Sequence, residues 1–139
     1  MDLLDDPIIK AALAQAWRDS TPESPKARHE EGGYIVQNAD GTTMVILWPA
    51  GEGSAILPPM MRPEGWYNGF RVLATFHTHP NPPMDEVGQE WEQGPGIADQ
   101  RWHSRRKMRG FVIAQDHVYE IGADGSVQVI GKRKEVLSS

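Results

Sequence analysis

Arg71-Val72-Leu73-Ala74-Thr75-Phe76-His77-Thr78-His79-Pro80 is the stretch on which the reading of this chain turns. Arg71 to His77 reads as an apolar strand that stops at Pro80, because proline cannot donate to a sheet ladder. Side chains alternate faces along a strand, so His77 and His79 project to the same side, about 7 Å apart along the chain. Two imidazoles so placed can converge on one ion. Pro80 puts them at the rim of the sheet, where an open coordination position meets solvent and substrate. Taken alone, H-x-H is equally well explained by two ordinary histidines at a strand end. The context favours a metal, since catalytic zinc sites take three protein ligands plus water, and an acid stands downstream at a helix start, Asp99 in Gly96-Ile97-Ala98-Asp99.

Working outward, Asp6-Pro7 is a cap followed by a first-turn proline, and Ile9, Leu13, Ala16 and Trp17 recur at helical spacing. A helix over 7–19 is expected. Residues 20–28 carry Pro22 and Pro25 and read as a loop. Tyr34 to Val36 and Thr42 to Trp48 flank the turn signal Asn38-Ala39-Asp40-Gly41, which predicts a hairpin. The Pro- and Gly-rich stretch 49–69 is too irregular for a strand and reads as a candidate binding loop, with Met60, Met61 and Trp66 as a wall for a peptide or as core. A helix is expected over 97–107. Strands follow at 111–114, 118–121 and 127–130, the last pair joined by Asp124-Gly125, and a frayed tail at 132–139. The whole is one α+β domain, residues 1–139, with helices flanking a mixed or mainly antiparallel sheet.

Composition narrows the chemistry. The 139 residues, 39% hydrophobic and 24% charged, suffice for one core and are short for two. A net charge of −5 argues against nucleic acid, whose phosphates demand a dense cationic surface. The one basic cluster, Arg101 to Lys107, reads as the solvated face of a helix. With no cysteine, a metal must be held by His and carboxylates. The acids Asp2, Asp5 and Asp6 and the lack of a long apolar run argue against an ordinary signal peptide and against a membrane span, so the cytoplasm is the expected compartment, with leaderless secretion left open. Five tryptophans are many for this length, and some are expected to line a groove or interface.

Three elements together, Glu30-Glu31-Gly32-Gly33, His77-Thr78-His79-Pro80 and Gly96-Ile97-Ala98-Asp99, resemble the JAMM (MPN-plus, or JAB) metallopeptidases, above all their bacterial JAB-like group. That resemblance runs from the first helix to the final strands and implies a cytidine-deaminase-like α+β arrangement. It implies that His77, His79 and Asp99 bind Zn²⁺ and that Glu30 serves a zinc-bound water as acid and base in amide hydrolysis. The chemistry is coherent, because zinc lowers the pKa of its water towards about 7, within reach of a carboxylate base. Glu31 competes with Glu30, since only one of two neighbours at a strand start points inward.

Two departures from the family matter. Its usual spacing lands on Glu90, so either Asp99 follows an insertion of about nine residues or Glu90 is the ligand; Asp99 is preferred for its helix-start setting. Gly96 stands where the family has an oxyanion-stabilising serine, and loss of such a donor costs about 3 kcal/mol; the backbone N–H of Gly96 is one candidate replacement. His103, four residues after Asp99, is either a group supporting the ligands or an ordinary helix-surface residue. The implied partner is a protein or peptide substrate, of which a ubiquitin-like modifier is one class. Alternatives are a toxin or processing domain of a secretion or mobile-element system, and a non-catalytic MPN-type interaction module.

Overall fold

In the computed structural model, which describes residues 2–138, helix α1 (Pro7–Asp19) opens the chain after a short 3-10 turn, Leu3–Asp5. The Asp6 carboxylate accepts from the Ile8 N–H at 2.9 Å, and Pro7 fills the first turn, so the predicted start and end of this helix both hold. Its apolar stripe, Ile9, Leu13, Ala16 and Trp17, is buried.

Among the described residues, seven strands form one mixed sheet: β1 (Gly32–Gln37), β2 (Thr43–Leu47), β3 (Trp66–Tyr67), β4 (Phe70–Thr78), β5 (Gly110–Ile113), β6 (His117–Ile121) and β7 (Val127–Lys132). They run in the order β2-β1-β4-β5-β6-β7, with β3 paired to the start of β4. Only β4 and β5 are parallel, joined through helix α2 (Ile97–Arg106); every other pairing is antiparallel. The α+β reading holds, as does the helix beginning at Ile97.

Strand β4 lies at the centre and separates two environments. Ala74 and Phe76 pack beneath α1 with Ile35, Phe111 and Ile113. On the other face Tyr34 stands opposite Thr75 and Gly32 opposite His77, next to a second cluster of Tyr34, Val36, Trp48, Val72 and Met108. A register shift between Ile35 and Val36 lets Val72 join that second face despite its even spacing from Ala74.

The structure corrects two expectations. The stretch 49–69 contains a two-residue strand, Trp66–Tyr67, because Asn68-Gly69 adopts positive φ at both positions, 50° and 81°, and closes a tight hairpin onto β4. The tail expected to fray over 132–139 is docked: Lys132 ends β7, Arg133–Val136 forms helix α3, and Leu137 is buried in the core. Arg133 donates to the Gln115 carbonyl at 2.9 Å and lies 4.6 Å from the centre of the Trp17 ring. Its aliphatic stem and stacked guanidinium make it part of the interior, which a hydrophilic-looking sequence conceals. Ser139, the last residue of that expected tail, lies outside the described residues.

Candidate metal centre

His77 and His79 lie at the C-terminal end of β4, and the N-terminus of α2 descends onto the same face. Strand spacing of two and helical spacing of four then run side by side: Asp99 comes over His77 and His79, and His103 over Thr75. Thr78, between the histidines, points the opposite way. Its hydroxyl shares a 2.6 Å hydrogen bond with Ser20 at the end of α1 and accepts from the Glu31 N–H at 3.0 Å. The middle residue of the H-x-H motif thus ties the strand to α1 and to the start of β1.

The Nε2 atoms of His77 and His79 are 3.2 Å apart, and Asp99 Oδ2 lies 3.6 Å and 3.9 Å from them. A point equidistant from these three atoms is about 2.1 Å from each, which is the length of a zinc–nitrogen or zinc–oxygen bond. The donor set therefore fits a small divalent cation. His79 Nδ1 is 3.0 Å from the Gln93 carbonyl oxygen, which can only accept, so Nδ1 carries the proton and Nε2 presents its lone pair to the cluster. Burial, then the neighbouring His77, lowers the His79 pKa to about 4 and keeps this ring neutral. Burial also opposes charge on His77, but the Asp99 and Glu30 carboxylates outweigh it and raise its pKa. Asp99 is correspondingly held down to about 2, burial being overcome by His77, the Gly96 N–H and His79.

Glu30 precedes β1 and reaches the same cluster: ligand atoms of Glu30, His77 and His79 all lie within 4.8 Å of one another. Its backbone is clamped, with the N–H bonded to the Glu52 carbonyl and its own carbonyl accepting from Gly51. Burial pushes the Glu30 carboxyl up to about 7, with His77 opposing and Asp99 adding to the shift. Glu31 takes the other direction and pairs with His29 at 2.8 Å. Of the two candidate bases, Glu30 is the one at the histidines.

Glu90 is exposed, forms an isolated bridge with Met84 and does not line the site; Asp99 does. The loop between them accounts for the difference, because Asp85 and Trp91 close it as a compact turn that carries Glu90 outward. Two further expectations are corrected. The Gly96 N–H donates to Asp99 Oδ2 at 3.2 Å, so it orients the Asp99 carboxylate and is already committed as a donor, contrary to its reading as a replacement for the oxyanion group. His103 is neither on the helix surface nor hydrogen-bonded to His77, His79 or Asp99. It is buried, Nδ1 donating to the Met108 carbonyl at 2.6 Å and Nε2 lying 3.4 Å from the Thr75 hydroxyl. Burial leads the lowering of its pKa. Only glycine fits at position 110 beneath it, since a Cβ there would sit 2.4 Å from His103 Cε1.

A cavity of about 510 Å³ opens onto Glu30, His77, His79 and Asp99, with Glu92 and His103 also in its lining. Its other walls were not individually legible: Trp48, Trp91 and Trp102, with Ile56, Leu57 and Pro58 from the loop expected to bind. The abundance of tryptophan was the only sequence signal for the three indoles, whereas Ile56, Leu57 and Pro58 belong to the stretch read as a candidate binding loop. Met60, Met61 and Trp66, read as a wall or as core, do not line it; Met61 packs on the second apolar cluster, as the core alternative expects, and Met60 is exposed. No family model matches the chain, and neither a curated protein nor a solved structure matches it. No helix among the described residues is long and apolar enough to cross a membrane.

Proposed function

We propose that this chain is a zinc-dependent metallopeptidase or isopeptidase of the JAMM type, acting on an amide bond of a protein or peptide in the cytoplasm. The observation that carries the reading is the convergence of His77, His79 and Asp99 at ligand spacing beside a buried carboxylate, Glu30, within one cavity. His77, His79 and Asp99 would hold the ion, which when bound supplies Lewis acidity and acidifies water in the site. Three protein ligands leave a position open for chemistry, whereas a fourth ligand from Glu30 would close it. Glu30, poised near neutrality by burial, takes a proton from the attacking water and returns one to the leaving amine.

Among the described residues no lysine or arginine lines the cavity, which holds Glu30, Glu92 and Asp99. Apart from the ion itself, a free C-terminal carboxylate would find no cationic side chain there, and this favours an internal peptide or isopeptide bond, modifier removal included, over trimming of C-terminal residues. The Gly96 position, which lacks a hydroxyl, is the one feature that favours a non-catalytic interaction module instead.

Metal analysis and a cleavage assay separate these readings. The purified chain should carry about one zinc per protomer, and Glu30→Gln should keep it while losing 10²–10⁴-fold in hydrolysis, roughly 3–5 kcal/mol of barrier. Glu31→Gln is the matched control. Zinc binding without hydrolysis of any peptide or isopeptide amide would turn the reading to the interaction module; loss of zinc in Glu30→Gln would make Glu30 a ligand.

A further inference from the structure

The three indoles of the cavity are each held in place by a different device. Trp48 lies edge-on to Tyr34 at 5.1 Å and across Gly32, where a Cβ would sit 2.7 Å from its ring. Gly32 pairs with His77, so this notch lets an aromatic wall lie beside the ligand histidine. The Trp91 indole N–H donates to Asp85 Oδ2 at 2.9 Å, which fixes a ring carried by the irregular segment before α2. Trp102 follows Asp99 by three residues on α2, and the Arg106 guanidinium stacks 4.3 Å from its ring centre. Ile56, Leu57 and Pro58 complete an apolar lining. Leu57 is 87% exposed although it borders this lining, so apolar surface stands open at the mouth.

Rings held before a ligand arrives lose little freedom when one stacks on them, and a cavity of about 510 Å³ is within the range that encloses a sizeable apolar group. The carboxylates of the lining repel an acidic group, and among the described residues it has no lysine or arginine to offset them. A segment of small residues would leave the walls uncovered.

We infer that the site selects a large aromatic side chain next to the scissile amide, seated between Trp48, Trp91 and Trp102. The inference rests on the amidase reading for the position of the bond, but ring recognition is independent of turnover and is tested without it. The probes are N-acetyl-phenylalanine methylamide and N-acetylglycine methylamide, titrated into the full chain as purified and again after chelation, with indole N–H shifts as the readout. The phenylalanine probe should bind at least tenfold more tightly in both states. Trp102→Ala should erase the preference, Trp102→Phe should keep part of it, and Val129→Ala, on the exposed strand β7, should leave it intact. Equal binding of the two probes, no binding of either, or a preference untouched by Trp102→Ala in a folded variant overturns the inference. If the preference stands while no amide is cleaved, the amidase reading fails and the aromatic site remains.

Discussion

The two faces of β4 carry side chains of opposite character on a single backbone. Towards α1, Ala74, Phe76 and Thr78 are almost fully buried, and the one polar group among them is hydrogen-bonded to Ser20 and Glu31. Towards α2, Thr75, His77 and His79 meet Asp99, His103 and Glu30, a concentration of titratable groups that burial makes costly. One face stabilises the fold. The other draws on that stability to keep imidazoles and carboxylates poorly solvated and close together, as expected where local structure is set by chemistry and not by folding.

The strongest way to break this contrast is to exchange the loss on each face. His77→Ala and His79→Ala should each abolish stoichiometric zinc binding, read by metal analysis, while leaving thermal stability of the metal-free chain close to that of the parent. Phe76→Ala should do the reverse: it removes a fully buried ring and should cost about 3–5 kcal/mol in denaturant unfolding. Zinc retained at full occupancy in His77→Ala would remove the metal from that face.

Asp99 and Glu90 sharpen the comparison further along the chain. Asp99→Ala should weaken zinc affinity by at least about tenfold, as loss of a metal-site carboxylate does, and Glu90→Ala should leave it unchanged. A competition titration with a chelator of known affinity reads both.

Glu30 ties function to stability through pH. Its carboxyl is raised from 4.5 to about 7 in the folded chain, so the fold prefers the protonated acid. The corresponding stability is fully present below about pH 4.5 and is lost as pH rises through 7. Glu30→Gln does not titrate, so the metal-free variant should exceed the parent by roughly 2–3 kcal/mol at pH 8 and by far less at pH 4.5. Denaturant unfolding at the two pH values checks it, and a difference independent of pH would contradict the buried position of Glu30.

The smallest effect belongs to Thr78. Thr78→Val keeps the shape of the side chain but strands the Glu31 N–H and removes one of the two partners of the Ser20 hydroxyl, which keeps its bond to the Ala16 carbonyl, at a cost of about 1–3 kcal/mol, with zinc affinity only mildly affected.

The sequence by itself determined the elements whose cause is local. Asp6-Pro7 sets the start of α1, period-two alternation assigns His77 and His79 to one side, and the Asp99 helix start was legible from its cap-like setting. The absence of cysteine left only histidine and carboxylate as candidate ligands for any metal. What tertiary structure alone decided involves residues distant in sequence. Glu30 and not Glu31 reaches the two histidines while Glu31 pairs with His29, and Asp99 and not Glu90 lies beside them because the 80–95 segment folds on Asp85 and Trp91. The tail docks through Arg133 on Trp17, more than a hundred residues apart in the chain, where propensity suggested fraying. The aromatic cavity gathers Trp48, Trp91 and Trp102 from a strand end, a loop and a helix. Periodicity and capping act over a few residues and are visible in order along a sequence. Burial, desolvation and the convergence of side chains depend on which segments become neighbours, and that is settled only when the sheet pairs and α2 closes over β4.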